Sequence, residues 1–372
     1  MKTDAERHNS KISNTNLEMK IRNLGNFVID VLNTNESPYF DIPIRTLGNV
    51  EFDKENLKIV MKDKKSRRNF LNIAHTRKFT QTLSAAAVIY KELLQTEKTT
   101  SLRDLFYMLK RTIPNTKINL VDEQIESDNA VEDLELLLDN LRENLHVNAK
   151  KKGSVAGNVV IKDGDDIIAW NKMGSGGWAV PSNVENIEFK DVDAKFVLFM
   201  EKDAVWNRLN EDKFWKKNNC IIIESGGQTT RGVRRILQRL NKEFSLPIYV
   251  LVDFDPWGIY IYSVIKYGSI GLSHLSDMLS TPKCKFLGLN GNDIEKYGLK
   301  KHLIKLKKVD IQRLEEMKNY VWFKDKNDWK EQFDIMKKFN AKAEIEALSA
   351  RGISFITEKY LPEKIANKEF LD

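Results

Sequence analysis

The sequence has 372 residues, 41% hydrophobic and 30% charged, with a formal net charge of +7 at pH 7. A chain of this length suits two or three domains, each able to bury its own core, and the composition excludes a globally disordered protein. No apolar run reaches membrane-spanning length, and two cysteines far apart exclude a disulfide framework and a four-cysteine zinc site.

Met1 to Lys20 is polar and lacks the apolar core of a secretory signal, so the expected location is cytoplasmic. Up to about Asn56, short apolar pieces alternate with Asn, Pro and Gly, and residues 1–69 are expected to form an N-terminal extension of undefined structure. Between Lys58 and Lys78 the charge changes character: Lys58, Lys62, Lys64, Lys65, Arg67, Arg68, Arg77 and Lys78 face only Asp63. Such a run is either a solvated surface or a footprint for phosphates, and the net positive charge fits a polyanion partner.

Phe79, Leu83, Ala86, Ala87, Tyr90 and Leu94 recur at helical spacing and predict a helix over 79–94. Ser101, with Asp104 three residues on, predicts the cap of a second helix, Leu102 to Thr112, closed by Pro114. Two helices joined by a short turn and preceded by basic residues look like the helix-turn-helix of a winged-helix domain. Arg103 and Tyr107, four apart, share one face of the second helix. They are either a core tyrosine with a surface arginine or a nucleophile beside a phosphate-steadying guanidinium. Ser127 or Asp128 is expected to cap a further helix striped by Val131, Leu134, Leu138, Leu141 and Leu145.

Lys150 to Gly153 marks a composition break. Val155 to Trp170 reads as a hairpin around Asp163-Gly164-Asp165. The glycine-rich stretch 172–177 lacks the Gly-Lys-Ser/Thr of a P-loop, so no ATP site is expected in this chain. After Asp193, strand-like runs at Phe196–Met200, Cys220–Ile223 and Ile248–Val252 alternate with helical stretches, the pattern of a parallel sheet with crossover helices. Glu201 follows the first strand and Asp253 the third, with Asp255 two residues on. Ligands bind at the carboxyl edge of such sheets, so these three acids are candidate Mg²⁺ ligands. Arg231, Arg234, Arg235 and Arg239 offer phosphate contacts beside them, although part of that run can simply decorate a solvated helix face.

Taken together, Ser101 to Tyr107, Glu126-Ser127-Asp128, Lys172 to Gly177, Val197 to Ala204, Gly232 to Arg235, Asp253 to Gly258 and Lys266 to Ser269 resemble the cleaving subunit (type A) of archaeal type IIB DNA topoisomerases and, more distantly, the meiotic double-strand-break transesterases. The resemblance runs from about Phe70 to the C-terminus. It implies an α/β plus α+β fold: a winged-helix domain of the catabolite-activator type over 70–149 and a Toprim domain with a Rossmann-like parallel sheet, a flanking hairpin and a C-terminal helical segment over 150–372. It implies Tyr107 as nucleophile, Arg103 as its neighbour, and Glu201, Asp253 and Asp255 as Mg²⁺ ligands, with Lys64, Arg67, Arg68, Arg231, Arg234 and Arg235 as candidate DNA contacts. Thr229 stands where this family has a proline after Gly-Gln. Phe106 stands where many relatives have a second tyrosine, leaving Tyr107 as the one candidate there.

The activity implied is a transient double-strand break through a 5′-phosphotyrosyl link, followed by resealing. A phenol, with a pKa of about 10, needs nearby positive charge to act as a nucleophile at neutral pH. One tyrosine cuts one strand, so a homodimer on double-stranded DNA is expected. ATP would be used by a separate B subunit of the GHKL type in an A2B2 enzyme associated with the nucleoid. A meiotic-type nuclease without strand passage and a non-catalytic winged-helix DNA-binding protein are the alternatives.

Overall fold

A computed structural model describes residues 4–372, with side chains from residue 16 onward. The chain divides into two compact units, one of residues up to 49 with 62–150, the other of 50–61 with 151–372.

The first unit is mainly helical. Helix α1 (Asp4–Asn33) leads to strand β1 (Tyr39–Pro43), the chain leaves for the hairpin β2 (Val50–Asp53) and β3 (Lys58–Met61) of the second unit, and β4 (Lys65–Asn69) returns to pair antiparallel with β1. The sequence defines no structure for this extension, whose first three residues lie outside the described ones. The apolar spacing nevertheless accounts for the helix: Leu17, Ile21 and Val28 are buried and Leu24 joins them, a stripe with intervals of four and three residues. In β1 the alternation has period two, so Phe40 and Ile42 point inward, and Phe40 stacks on Phe79 at 4.3 Å between ring centroids.

Helix α2 (Thr76–Val88) passes directly into a π-helical turn, Ile89–Leu94, instead of remaining α-helical throughout. A short β5 (Thr100–Ser101) precedes α3 (Leu102–Leu109). Helix α3 ends three residues before the expected Thr112, with Lys110 already outside helical geometry at ψ 78°. Pro114 disfavours helical geometry at Ile113, and Thr112 instead bridges Asn119. Helix α4 (Gln124–Leu138) begins before Ser127 and Asp128, which therefore do not cap it. Glu123 is the N-cap and Glu126, at N3, reaches back to it, its Oε2 accepting from the backbone N–H of Asp122 at 2.6 Å and of Glu123 at 3.3 Å. Asp139, at φ 45°, stops the helix, so Leu141 and Leu145 lie beyond it, although Leu145 still reaches the core. Strand β6 (Val147–Asn148) pairs parallel with β5.

The second unit is built on a six-stranded sheet. Its strands are β7 (Ser154–Ala156), β10 (Trp178–Ala179), β12 (Val197–Met200), β13 (Ile221–Glu224), β14 (Ile248–Leu251) and β15 (Lys285–Phe286), in the order β10-β7-β13-β12-β14-β15. Beside them β8 (Val159–Asp163), β9 (Asp166–Ala169) and β11 (Ile187–Val192) form a small antiparallel sheet, with Asp163 opposite Asp166 at the expected hairpin turn. Strands β13, β12, β14 and β15 are parallel, and all four residues of β12 are 0% exposed, as befits the centre of a sheet covered on both faces. The covering helices are α5 (Asp203–Glu211), α6 (Phe214–Lys217), α7 (Arg231–Phe244) and α8 (Pro256–Tyr267). Val233, Ile236, Leu237 and Leu240 form the buried stripe of α7. Among the described residues no helix is long and apolar enough to cross a membrane.

Candidate functional site

In the first unit, α3 sorts its residues by rotation. Ser101 Oγ accepts from Asp104 N–H at 3.0 Å and fixes the start of the helix. Leu105 and Leu109 are fully buried and Phe106 is 5% exposed, whereas Tyr107, one residue on, is 57% exposed. The core-tyrosine reading is therefore removed: the core takes Phe106 and leaves the Tyr107 phenol in solvent. Arg103, one turn earlier, donates from Nη2 to Tyr107 Oη at 3.3 Å and lies 5.5 Å from its ring centroid. Its other terminal nitrogen, Nη1, donates to Gln124 Oε1 at 2.8 Å.

In the second unit, the parallel register Met200↔Leu251 brings Glu201 to the same edge as Asp253 on the neighbouring strand. Asp255 keeps extended geometry (φ −146°, ψ 164°) before Pro256 opens α8, and its Oδ1 accepts from Gly258 N–H at 2.6 Å. A Cβ at Gly258 would stand 2.6 Å from the Asp253 carbonyl oxygen, so a glycine is needed for the helix to start this close to the strand. The acids perturb one another. Burial first, then the charges of Asp253 and Asp255, push the Glu201 carboxyl up to about 7. Burial pushes Asp253 up to about 6 against the opposing pull of Lys202, and burial raises Asp255 too.

Two lysines compensate this charge. Lys202 Nζ lies 2.8 Å from Asp253 Oδ2, 2.7 Å from Glu346 and 3.5 Å from Glu344. Lys342 Nζ lies 3.5 Å from Asp255 and 3.3 Å from Asp310. Lys342, Glu344 and Glu346 come from one stretch, the strand Ala341–Lys342 running on into the 3-10 helix Ile345–Arg351, bonded to the acid loop by the Phe254↔Ala343 bridge and by Ile345 N–H donating to Asp253 Oδ1 at 2.9 Å. Its alternation explains the arrangement: Ala341, Ala343 and Ile345 are buried, while Lys342, Glu344 and Glu346 face the other way. Among the described residues no three carboxylate, imidazole or thiolate groups enclose a metal position as they stand. The donor set itself is all oxygen, largely withdrawn from water and mutually repelling, which suits a hard divalent cation.

The basic candidates separate. Lys64 is exposed. Arg67 pairs in bidentate fashion with Asp41, at 2.9 and 2.8 Å, and lies 3.9 Å over the Tyr39 ring. Arg68 pairs with Asp133, its side chain 18% exposed. Arg231 is half-buried on the first turn of α7, and Arg235 is clamped by Glu185 at 2.5 and 2.8 Å. Arg234 is a correction to the sequence reading: it is 2% exposed, donates to Leu279 O at 3.2 Å and Ser269 Oγ at 3.4 Å, and faces the interior. Position 234 falls on the buried side of α7, beside Val233 and Leu237, so this arginine holds the fold and is not presented to a phosphate.

Three family models match along the chain: type IIB DNA topoisomerase over residues 77–147, the all-beta domain of the DNA topoisomerase VI alpha chain over 151–193, and the Toprim domain shared by topoisomerase 6 A-type subunits and Spo11 over 196–365. The A-type subunit of the type 2 DNA topoisomerase 6 of Pyrococcus abyssi is 44% identical over 362 residues, covering 95% of this chain and 94% of its own. The protein of the same name from Saccharolobus shibatae is 41% identical, covering 92% and 93%, and the corresponding DNA topoisomerase 6 protein of Arabidopsis thaliana is 35% identical, covering 89% and 76%. The match to the Pyrococcus protein takes in most of the segment before Phe70, where the sequence resemblance began. These relatives favour a topoisomerase over a nuclease without strand passage and over a non-catalytic DNA-binding protein. The chain belongs to the family of type 2 DNA topoisomerase 6 A-type subunits, the DNA-cleaving catalytic subunits of type IIB topoisomerases.

Proposed function

We propose that Tyr107 is the nucleophile of a reversible double-strand cleavage and that Arg103 binds the phosphate it attacks. The phenol oxygen forms a bond to phosphorus with loss of its proton, and the bond from phosphorus to the 3′ oxygen breaks. The 3′ oxygen leaves as a hydroxyl, and the 5′ phosphate stays on Tyr107. Reversal restores the backbone without an external energy source, because the phosphotyrosyl ester keeps the bond energy. The observation that carries this reading is the exposed Tyr107 oxygen within reach of an arginine that has no carboxylate partner among the described residues.

Glu201, Asp253 and Asp255 would hold Mg²⁺, which when bound supplies positive charge to the phosphate and the departing oxygen. Helices α2, α3 and α4 with their short strands are read as a winged-helix domain of the catabolite-activator type that lays Tyr107 against double-stranded DNA. Lys64 and Arg231 contribute phosphate contacts, and Arg67 does so at the edge of its pair with Asp41. Two copies cut the two strands. A separate B subunit of the GHKL type uses ATP to drive strand passage, completing an A2B2 enzyme in the cytoplasm on the nucleoid.

The test is denaturant trapping after incubation of this chain and its B subunit with supercoiled DNA and Mg²⁺. The native protein should give linear DNA with protein attached to its 5′ ends, and Tyr107→Phe should give none. Attachment persisting in Tyr107→Phe would refute the assignment.

A further inference from the structure

The side chain that aims Arg103 is itself aimed. Among the described residues Arg103 forms no ion pair, and its contacts are Tyr107 Oη at 3.3 Å and Gln124 Oε1 at 2.8 Å. An exposed arginine loses rotamer entropy when held in one geometry, so a fixed acceptor is needed to hold it. A carboxylate would hold it more strongly, but would neutralise the charge and compete with an incoming phosphate. A neutral amide oxygen orients the guanidinium and leaves its charge whole.

Gln124 has the mounting for this task. It is the first residue of α4, where the Glu126 carboxylate ties down the two preceding backbone N–H groups and is itself held by Arg77 at 3.0 Å and Gln81 at 3.1 Å. Reversed, the amide would turn its NH₂ toward the guanidinium, a repulsive contact, so it is Oε1 that faces Arg103.

We propose that Gln124, fixed at the start of α4, is the positioning residue that sets the Arg103 fork beside Tyr107 to receive the scissile phosphate. The proposal rests on the reading of Tyr107 and Arg103 given above. In the sequence alone, Gln124 carries no signal.

The experiment uses the full A2B2 assembly with double-stranded DNA and Mg²⁺ and measures the rate of covalent complex formation in a double-mutant cycle. Gln124→Met, similar in length but without hydrogen bonds, should slow cleavage roughly 10-fold to 100-fold, the scale expected for a displaced catalytic group. Arg103→Ala should be at least as slow, and adding Gln124→Met to it should cost nothing further. Thermal unfolding of each variant checks that α4 remains intact. Native rates in Gln124→Met, or an equal loss from Gln124→Met with and without Arg103, would overturn the proposal while leaving the Tyr107 reading in place. Native rates in Arg103→Ala or Tyr107→Phe would instead overturn that underlying reading.

Discussion

Lys202 and Asp253 meet at 2.8 Å, an ammonium set against a carboxylate that is only 5% exposed. Glu344 and Glu346 stand ready on the far side of the same ammonium, at 3.5 and 2.7 Å. A cation arriving at Asp253 therefore competes with Lys202, which keeps two other carboxylate partners when it yields. Lys202→Met should raise Mg²⁺ affinity, roughly tenfold on the scale of changes around metal ligands, and lower stability in chelator. Calorimetric titration and melting curves with and without Mg²⁺ measure both. Weaker Mg²⁺ binding in the variant would show that Lys202 orients Asp253 for the metal and does not compete with it.

Phe106 and Tyr107 are neighbours with opposite consequences. Phe106 is 5% exposed in the core of the first unit, so Phe106→Ala should cost about 3–5 kcal/mol of stability. Tyr107 is 57% exposed, so Tyr107→Phe should change stability by less than about 0.5 kcal/mol while removing cleavage. Denaturant unfolding of the two variants, followed by a cleavage assay of the second, separates packing from chemistry.

Glu126 gives a pH dependence with a definite sign. Against the cost of its burial, Arg77, the Asp122 N–H and Gln81 hold its carboxyl down at about 2 from an ordinary 4.5. The folded state thus favours the ionised form. Its contribution, on the order of 3 kcal/mol, is fully present above about pH 4.5 and is lost as pH falls from there toward about 2. Glu126→Gln should therefore be clearly less stable than the native protein at pH 7, with the gap closing in acid. A gap of constant size across that range would show that the ionic character of Glu126 is not what stabilises the start of α4.

Arg231 and Arg234, three residues apart on α7, should fail in different ways. Arg234 is buried, with burial and the nearby Arg231 pulling its guanidinium down to about 9. Arg234→Ala should lower stability by about 1.5–3 kcal/mol, the range for hydrogen bonds from a charged group. Arg231→Ala should weaken DNA binding and reduce its salt dependence by about one ion. Fluorescence anisotropy at several salt concentrations, alongside unfolding curves, tests the pair.

Where structure follows local periodicity, the sequence was readable. The parallel strands, the hairpin at 163–166, the Ser101 cap and the placing of Glu201, Asp253 and Asp255 at one sheet edge all follow from patterns of a few residues. What was not readable depends on partners remote in sequence. Lys342, Glu344 and Glu346 lie some ninety residues from Asp253, in a stretch whose apolar-polar alternation says nothing of what it faces. The stripe of α1 was hidden because Leu17, Ile21, Leu24 and Val28 are spaced among polar residues in a segment rich in asparagine. Arg234 looked like surface because it sits in a basic run, and only its angular position on α7 turns it inward. The helix starts at Gln124, ahead of Ser127, because Glu126 reaches back to two backbone N–H groups at once, a contest of reach that residue type alone does not decide.

The most direct test is the identity of the residue that carries DNA. Cleavage complexes trapped with denaturant, digested with nuclease and protease, should yield one modified peptide in which Tyr107 bears a 5′-linked nucleotide. Attachment at any other residue, or the same adduct in Tyr107→Phe, would contradict the account at its centre.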